Sequence, residues 1–500
     1  MVDYSQFDQQ TIAAIATPPG AGGIGIIRIS GARAAEVLQQ LFRPARPPRE
    51  PSAHLPSHRL RYGWISEPAS GRLLDEVMAV YMAAPATYTR EDVVEIHGHG
   101  GHLVLREILA LILTIKGVRA AEPGEFTKRA FLNGRIDLTR AEAVIELLNA
   151  ETRQGVELAI QQLAGGLQQR VEAVRQALLA MLAVVEVAID FPDEDDEIVD
   201  HAGLQQQLAV AVVAPLEQLL SQRRRGRIYR EGAAVAILGR PNVGKSSLLN
   251  ALLREERAIV TPVPGTTRDT IEESIEVNGV PVRLIDTAGI RDTPESVEEI
   301  GIERSRRHGR EADLVLLLVD ATSGLVPEDL TLYQSLAGQN LVLVVNKLDL
   351  PGPDGQPPKK GDTIPIFHTR REKRETPAMK NRYGVPLFWR QRFADQPLVG
   401  ISARTGQGLE ELTEAIFTAL TGGRHRDPEH ACVPNARHEA ALQAALVAAR
   451  RTTTTLQSGG APELLAVELQ GALAALGEIV GETSGEELLD AIFSRFCIGK

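Results

Sequence analysis

The chain has 500 residues, of which 43% are hydrophobic, and its formal net charge at pH 7 is −11. This length and hydrophobic content support a folded protein of about three domains, and the negative charge excludes a protein that holds RNA mainly by general electrostatic attraction. Two cysteines exclude a disulfide framework, Met1 to Gln10 is too polar for a signal peptide, and no apolar run could span a membrane, so we expect a cytoplasmic protein.

The first part of the chain predicts short strands with helices between them. Thr11 to Thr17 and Gly23 to Ser30 are apolar-rich strand candidates. The glycine-rich run between them lacks the Lys-Ser pair of a phosphate-binding loop, so we interpret it as a turn. His97, His99 and His102 invite a metal site, but their spacing does not suit tetrahedral zinc and no cysteine is near, which argues against one.

Residues 138–230 are predicted to be mostly helical because apolar residues recur there at near-helical spacing. Thr139 and Glu142 form a capping-box pattern that predicts a helix start. The acidic run Asp190–Glu197 interrupts the pattern, and we favour a solvated turn over a metal site or a site for a basic partner. The cluster Arg223–Arg227 ends a predicted helix, where cations suit the helix dipole, although a phosphate contact stays open.

The stretch Gly239–Ser247 matches the phosphate-binding pattern G-x-x-x-x-G-K-[ST]. A strand candidate, Ala233–Leu238, precedes it and a helix candidate, Ser247–Leu253, follows it. The glycines let consecutive backbone N–H groups surround a β-phosphate, and the helix N-terminus adds positive dipole. Lys245 can reach the β- and γ-phosphates and the Ser246 hydroxyl can ligate Mg²⁺, so the sequence predicts a nucleotide site.

Two more motifs follow in the order of a P-loop GTPase. Val282–Gly289 is a strand candidate that ends in D-x-x-G, where Asp286 is placed to act on Mg²⁺ through water and Gly289 to contact the γ-phosphate. Leu341–Val345 is a strand candidate followed by the N-K-x-D motif Asn346–Asp349. A carboxylate there can accept hydrogen bonds from guanine N1–H and N2–H₂, a donor pair that adenine lacks.

A fourth motif completes the nucleotide site. Pro397–Ile401 is a strand candidate that runs into Ser402–Arg404, which suits backbone contact with the base O6. Four ordered motifs on alternating strands and helices predict GTP binding by an α/β sheet, with the ligand at the carboxyl ends of the strands.

The switch regions predict an unusual catalytic device. Ile290 stands where a Ras-type protein has the glutamine that orients the attacking water, and an apolar side chain cannot do this. Asn242 and the proline-stiffened loop Thr261–Asp269 offer oxygens to a K⁺ ion, which would neutralise charge that develops in the transition state. Thr267 is the natural second Mg²⁺ ligand. Glu295–Glu299 is either a solvated helix start or the source of a water-orienting carboxylate.

The connection between Asp349 and Ser402 is longer than is usual in Ras-like domains. Basic residues alternate with aromatic ones in His368–Arg392, a pattern that can contact RNA. We favour a disordered surface insertion at 351–396.

The C-terminal part returns to a helical pattern in His438–Leu456 and Pro462–Val480. Near the last residue, Arg495 and Lys500 favour the thiolate form of Cys497. Chemistry alone leaves open whether this thiol is inert or functional.

The motifs G-x-P-N-x-G-K-S-S, P-G-T-T-R-D, D-T-A-G-I-R and the final F-C-I-G-K together resemble the MnmE (also called TrmE) family of bacterial tRNA modification GTPases over nearly the whole chain. The resemblance implies an α/β and α multidomain fold with an N-terminal α+β folate-binding domain, a central helical domain and an inserted Ras-like P-loop GTPase domain. The implied boundaries are 1–122 for the folate-binding-like and dimerisation domain, 123–231 with 425–500 for the helical domain, and 232–424 for the G domain.

The resemblance also implies an activity and partners. The expected protein is a K⁺-stimulated GTPase that, with the FAD enzyme MnmG, adds an aminomethyl or carboxymethylaminomethyl group to C5 of the wobble uridine of certain tRNAs. It would be a homodimer that forms a heterotetramer with MnmG, and GTP hydrolysis would drive dimerisation of the G domains. The implied cofactors are GTP, Mg²⁺, K⁺ and a 5-formyl- or methylene-tetrahydrofolate. The alternative is a regulatory RNA-binding switch GTPase of the ribosome-assembly type, although no Lys/Arg-rich module follows residue 424.

Individual roles follow from the same resemblance. Glu298 matches a water-orienting glutamate, Cys497 is assigned to tRNA modification, and Arg291 matches a switch arginine of open role. The implied K⁺ ligands are Asn242, Thr261, Val263 and Thr266, and the implied Mg²⁺ ligands are Ser246 and Thr267. The implied folate contacts are Arg28, Glu95, Arg135 and Lys500, with Arg135 replacing a lysine of some relatives. The residues assigned to GTP are Asn242, Val243, Gly244, Lys245, Ser246, Ser247, Thr261, Pro262, Val263, Pro264, Gly265, Thr266, Thr267, Asp286, Thr287, Ala288, Gly289, Asn346, Lys347, Leu348, Asp349, Ser402, Ala403 and Arg404.

Overall fold

The computed structural model describes residues 10–46, 55–191, 200–255, 273–286, 312–351, 396–423, 433–482 and 485–500. These residues divide into two compact units. One comprises the described parts of Met1–Leu148, Ala159–Leu220 and Pro434–Lys500, and the other those of Asn149–Leu158 and Ser221–Val433. The N-terminal sheet and the helical region therefore belong to one unit, while the predicted boundaries at 122, 231 and 424 stay predictions.

The first unit contains a seven-stranded sheet. Its strands are β1 (Thr11–Ile15), β2 (Gly22–Ser30), β3 (Phe42–Pro44), β4 (Arg61–Ser66), β5 (Leu73–Met82), β6 (Val93–Gly100) and β7 (Val118–Ala120). They lie in the order β3-β4-β5-β6-β2-β1-β7, and all neighbours are antiparallel except β1 and β7. Both predicted N-terminal strands are confirmed, with ends shifted by one or two residues.

One face of this sheet carries the core of the first unit. Alternate residues of each strand point to the same face, so Ile27 and Ile29 of β2 lie beside Val94 and Ile96 of β6 and are fully buried. Helices α1 (Ala34–Leu41) and α2 (His102–Leu113) supply the apolar side chains that pack in the same cluster. The opposite face carries Arg28 of β2 and Glu95 of β6, beside a small buried apolar cluster that contains Ile12 and Ala14 of β1.

Helices make up the rest of the first unit, as the spacing of apolar residues predicts. They are α3 (Glu125–Leu132), α4 (Leu138–Asn149), α5 (Arg153–Leu163), α6 (Gly166–Asp190), α7 (His201–Leu208) followed by a π-helical turn at Ala209–Val213, α8 (Ala214–Glu231), α12 (Ala436–Gln457), α13 (Pro462–Val480) and α14 (Glu486–Phe493), with α5 and α8 running partly into the second unit.

The capping-box interpretation of Thr139 and Glu142 is wrong. Asp137 caps α4, because its Oδ1 accepts hydrogen bonds from the backbone N–H groups of Thr139 at 2.9 Å and Arg140 at 3.2 Å. An aspartate two positions upstream thus does the work that the pattern assigned to the threonine. Glu142 is free for another role.

Glu142 forms a buried charged cluster with two residues of α12. Its carboxylate accepts hydrogen bonds from Arg437 Nε at 2.9 Å and Nη2 at 2.8 Å, and it lies 2.7 Å from His438 Nε2. His438 is fully buried, and its Nδ1 accepts from the Asn435 backbone N–H at 3.1 Å, so the ring hydrogen sits on Nε2 and points at the carboxylate. Burial alone would raise the pKa of Glu142, but His438 and Arg437 hold it well below its usual range.

The second unit is built on a six-stranded sheet in the order β13-β12-β11-β8-β10-β9. Its strands are β8 (Ala233–Leu238), β9 (Glu273–Val277), β10 (Val280–Asp286), β11 (Leu314–Asp320), β12 (Leu341–Asn346) and β13 (Leu398–Gly400). All pairs are parallel except the hairpin β9–β10. That hairpin turns at Asn278-Gly279 with positive φ at both residues (49° and 84°), the geometry that this dipeptide favours.

The predicted α/β rhythm of the second unit is confirmed. β8 has the predicted ends, and the next helix, α9 (Lys245–Glu255), begins at the phosphate-binding lysine. Helices α10 (Pro327–Ser335) and α11 (Leu409–Thr421) follow β11 and β13. The central strands β8, β11 and β12 are buried along their whole length, as in parallel sheets covered on both faces.

Several predictions fall outside the described residues. These are the acidic run from residue 192 to 197, the loop 261–269, the switch positions Ile290, Arg291 and Glu295–Glu299, and nearly all of the insertion 351–396. Within the described ranges, no helix combines the length and the apolar character that a membrane crossing requires.

Candidate functional site

The phosphate-binding loop connects the carboxyl end of β8 to the N-terminus of α9. Asn242 and Gly244 both have positive φ, at 63° and 100°. A Cβ added to Gly244 would overlap the side-chain nitrogen of Asn346, so only glycine fits beside that strand. Ser246 and Ser247 are exposed in the first turn of α9, where the helix dipole favours an anion.

Lys245 lies across the mouth of this loop. Its ammonium donates to the backbone carbonyls of Gly239 at 2.9 Å and Arg240 at 2.8 Å. The contacts keep the charge of Lys245 above the loop amides. This is where the β- and γ-phosphates of a nucleotide would sit, so the loop fits the group that the sequence predicts.

The N-K-x-D motif is bonded directly to the phosphate-binding loop. Asn346, which is buried, donates from Nδ2 to the Val243 carbonyl at 2.8 Å and accepts the Ala403 N–H on Oδ1 at 3.0 Å. Lys347 donates to the Asn242 carbonyl and to Asp320 Oδ2, both at 2.7 Å. The end of β12 is thus bonded to the loop, and the residues that end β11 and follow β13 are bonded to the N-K-x-D motif.

Asp349 is the predicted guanine-recognition carboxylate, and the structure fixes its orientation. It is exposed, and its Oδ1 accepts from the Ser402 hydroxyl at 2.7 Å. Ser402 is fully buried and also accepts the Thr405 N–H at 3.2 Å. The two distant motifs predicted to contact the base therefore meet, and a carboxylate held by one oxygen can present the other to an N–H pair. Leu348 is buried beneath them, and Arg404 is exposed.

The remaining residues predicted for the nucleotide site and the switches have no described side chain. Asp286 ends β10, at the same sheet edge as the phosphate-binding loop, and its backbone alone is described. The others lie outside the described residues: Thr261, Pro262, Val263, Pro264, Gly265, Thr266, Thr267, Thr287, Ala288, Gly289, Arg291 and Glu298.

Two carboxylates that the sequence did not single out contact this site. Asp320 ends β11 and pairs with Lys347. Burial would raise the pKa of Asp320, but hydrogen bonds from Lys347 and Thr322 lower it. Asp329, almost fully buried in α10, pairs with Arg240 of the phosphate-binding loop, and burial raises its pKa although Arg240 opposes this. The only sequence signal for Asp320 was its position at the end of an apolar strand.

A second candidate site lies in the first unit, on the face of the seven-stranded sheet that carries Arg28 and Glu95. Arg28 Nε pairs with Glu95 Oε1 at 2.9 Å, across paired positions of β2 and β6. Arg28 Nη1 also donates to the Gly499 carbonyl at 3.2 Å. Two predicted folate residues and the C-terminal segment are therefore brought together.

The C-terminal segment, Cys497–Lys500, is held in place by contacts of its backbone. Ile498 forms a β-bridge with Pro123, and the Cys497 carbonyl accepts the Gly124 N–H at 3.5 Å. Gly499 has φ +95°, and a Cβ there would meet the Ile15 carbonyl oxygen at 2.5 Å. Cys497 itself is exposed beside this seat.

Arg135 lines a cavity of about 460 Å³ together with Met82, Pro85 and Tyr88. Its guanidinium is 4.7 Å from the centre of the Tyr88 ring. Tyr88 packs against the cluster that contains Phe126, and Arg28 lies 5.7 Å from the centre of the Phe126 ring. The Arg28–Glu95 pair offers a cation and a carboxylate, and Arg135 offers a second cation beside the Tyr88 ring. Such groups suit a flat heterocycle with an anionic tail, so these residues fit a folate.

The histidines near Glu95 bond to carboxylates. His97 Nε2 lies 3.2 Å from Glu95 Oε2, and His99 Nδ1 lies 2.6 Å from Asp75 Oδ1. The hydrogen bond that His99 donates to Asp75 raises the pKa of His99. In the second unit, Arg223 and Arg227 of the predicted basic cluster pair with Glu231 and Asp313, each at 2.6 Å. The prediction that this cluster ends a helix is wrong, because α8 continues to Glu231; ion pairs account for those two cations.

Comparison with known proteins assigns the family. The family model described as "GTP-binding protein TrmE N-terminus" matches residues 11–135, and the model described as "MnmE helical domain" matches residues 138–497, which is more than half of the chain. The chain belongs to the MnmE family. The MnmE resemblance read from the motifs is therefore confirmed.

MnmE relatives align with the chain from end to end. The tRNA modification GTPase MnmE of Desulfotalea psychrophila is 49% identical over 99% of this chain and 99% of its own length. Those of Heliobacterium modesticaldum and Geobacillus kaustophilus are each 45% identical, over 98% and 99% of this chain and 99% and 100% of their own lengths. The G domain of FeoB from Methanococcus jannaschii is 29% identical over 38% of this chain and 97% of its own, with a TM-score of 0.25 that carries no weight beside the MnmE matches.

Proposed function

We propose that the chain is a GTP hydrolase that acts in tRNA modification. The observation that carries the GTPase part is the meeting of Asp349 with buried Ser402 beside a phosphate-binding loop bonded to Asn346 and Lys347. The tRNA part is supported by relatives named tRNA modification GTPase MnmE that align over 98–99% of the chain.

Guanine recognition is tested by changing the chemistry of position 349. Asp349→Asn removes two charge-assisted hydrogen bonds to guanine, and we expect GTP affinity to fall at least about a hundredfold. Xanthosine triphosphate carries an oxygen where guanine carries the 2-amino group, so the asparagine amide can donate to it and turnover should return with that nucleotide. Glu410→Gln, on the exposed start of α11, is the matched control. Equal GTP and ATP affinity in the unaltered chain would reject guanine recognition.

The tRNA part is tested in cells that lack the chain. Mass spectrometry of tRNA nucleosides should show loss of the C5-modified wobble uridine, restored by the unaltered chain and not by Asp349→Asn. Normal wobble uridine in the deletion would reject this part and leave the ribosome-assembly type of switch as the candidate.

Cation dependence belongs to the same proposal. Mg²⁺ would be held by Ser246 and Thr267, and K⁺ by Asn242 with Thr261, Val263 and Thr266, while Glu298 orients the attacking water. The supports are the exposed Ser246 at the start of α9, the position of Asn242 in the loop, and Ile290, which cannot orient water. We expect faster GTP turnover in KCl than in NaCl, and no such difference for Asn242→Ala. Equal rates of GTP turnover by the unaltered chain in both salts would reject the proposed role of K⁺.

Folate and protein partners complete the proposal. A 5-formyl- or methylene-tetrahydrofolate would contact Arg28, Glu95, Arg135 and Lys500, with Cys497 acting nearby, in a homodimer that joins the FAD enzyme MnmG. The support is the Arg28–Glu95 pair and the cavity lined by Arg135 and Tyr88. Calorimetry should show 5-formyltetrahydrofolate binding that Glu95→Gln weakens and that Glu36→Gln, in the exposed pair Arg33–Glu36, leaves intact. Sedimentation with and without MnmG tests the assembly.

A further inference from the structure

The phosphate-binding loop is held from its outer side by a side chain that the nucleotide motif does not specify. Arg240, the second residue of the loop, donates from Nε to Asp329 Oδ1 at 2.9 Å and from Nη2 to Ser323 Oγ at 2.6 Å. The Asp329 side chain is only 1% exposed. Its other oxygen accepts the Val326 N–H at 3.4 Å, so the carboxylate is fixed at the start of α10.

The backbone of Arg240 takes part in the phosphate site. Its carbonyl accepts the ammonium of Lys245 at 2.8 Å. Pro241 follows, and a residue before proline has a restricted backbone. Fixing the side chain of Arg240 therefore also fixes the carbonyl that aims the phosphate-binding lysine.

The segment Asp320–Asp329 also reaches the base end of the site. Asp320 Oδ2 accepts Lys347 at 2.7 Å, and Ser323 Oγ donates to the Asp320 carbonyl at 3.4 Å. One segment of the chain thus contacts the loop that would hold the phosphates and the motif that would read the base.

We propose that Arg240 is a positioning residue: through Asp329 and Ser323 it holds the phosphate-binding loop in the shape that accepts the β-phosphate. The segment Asp320–Asp329 then links the phosphate end of the site to its base end. This inference rests on the proposed binding of guanine nucleotides. It assigns roles to Arg240, Asp329 and Ser323, none of which contacts the nucleotide in this scheme.

The rival interpretation is an ion pair that only stabilises the second unit. The two interpretations differ in which nucleotide loses affinity. GMP has no β-phosphate, so its affinity depends on the base motif and not on the shape of the loop around that phosphate. GDP depends on both. A positioning role therefore lowers the affinity for GDP selectively, whereas a loss of folded protein lowers the amount that binds either nucleotide.

The experiment measures dissociation constants of GDP and GMP by displacement of a fluorescent guanine nucleotide from the full-length chain. For Arg240→Ala we expect GDP affinity to fall about tenfold, because two charge-assisted contacts are lost, and GMP affinity to stay within about twofold. Arg240→Lys keeps the charge but loses the planar arrangement of N–H donors. Its GDP affinity should lie between those of Arg240→Ala and the unaltered chain.

Two further variants keep the test decisive. Ser323→Ala removes a single acceptor and should lower GDP affinity about threefold without unfolding the chain. Arg227→Ala breaks another arginine–aspartate pair of the same unit, Arg227–Asp313, and should leave the ratio of the two affinities unchanged.

Equal losses for GDP and GMP in Arg240→Ala, or no loss for either, would overturn the positioning role. An unaltered chain that bound no guanine nucleotide would reject the proposed function together with this inference, whereas normal GDP binding with an unchanged ratio rejects the inference alone.

Discussion

Glu142→Gln should destabilise the first unit by about 3 kcal/mol, since breaking a buried pair by removing one partner costs about 3–5 kcal/mol. The carboxylate accepts two hydrogen bonds from Arg437 and faces the Nε2–H of fully buried His438. Arg437 Nη2 and His438 Nε2 lie 2.9 Å apart, so two donors would face each other without the charge between them. The expected loss of stability lies at the low end of this range because Arg437 still donates hydrogen bonds to the backbone carbonyls of Glu478 and Ile479.

Urea denaturation followed by circular dichroism at helix wavelengths measures this change, with GDP present throughout so that the second unit stays constant. Glu217→Gln is the matched control, because Glu217 pairs with Arg450 of the same α12 on an exposed surface and should cost less than about 1 kcal/mol. If Glu142→Gln were as mild as Glu217→Gln, the reasoning from burial would be refuted.

Three further predictions follow, one from the same cluster and two from other contacts. The pKa of Glu142 is lower in the folded state than its ordinary 4.5. The ionised carboxylate therefore contributes its full stabilisation of the fold above pH 4.5, and this contribution is lost as the pH falls through the folded pKa. Urea midpoints should decline more steeply below pH 4.5 for the unaltered chain than for Glu142→Gln. Gly499→Ala should unseat the C-terminal segment, because the new Cβ meets the Ile15 carbonyl, and amide exchange of the last six residues should accelerate; unchanged exchange would contradict the seating. Ser402→Ala should weaken GDP binding about tenfold by freeing Asp349, and calorimetry that finds full affinity would show that the hydroxyl is dispensable.

The nucleotide site was predictable because its parts are contiguous motifs with fixed chemistry. The pattern G-x-x-x-x-G-K-[ST] places Lys245 before the fold is known, and the apolar runs around it predict β8 and α9. The meeting of Asp349 with Ser402 followed less directly, from the rule that parallel strands end at one sheet edge.

The contacts that the sequence did not predict join residues far apart in the chain. Arg240 and Asp329 are separated by 89 positions, and nothing in either neighbourhood signals the other. The capping pattern at Thr139 failed for a local reason: the helix begins at Leu138, so Thr139 lies inside its first turn and its own amide is capped by Asp137. The spacing of apolar residues in the sequence predicts which face of a helix or strand is buried. The hydrogen-bond partner of a polar side chain depends on the tertiary fold.

The bond between Arg28 and Gly499 spans 471 positions. At a synthesis rate of about 5–20 residues per second, the strand that carries Arg28 waits about 25–95 s for its partner. During that interval β1 and β2 leave the ribosome without the segment that bonds to Arg28, while the whole second unit is translated in between. Chaperone demand during translation should therefore concentrate on the earliest-made strands.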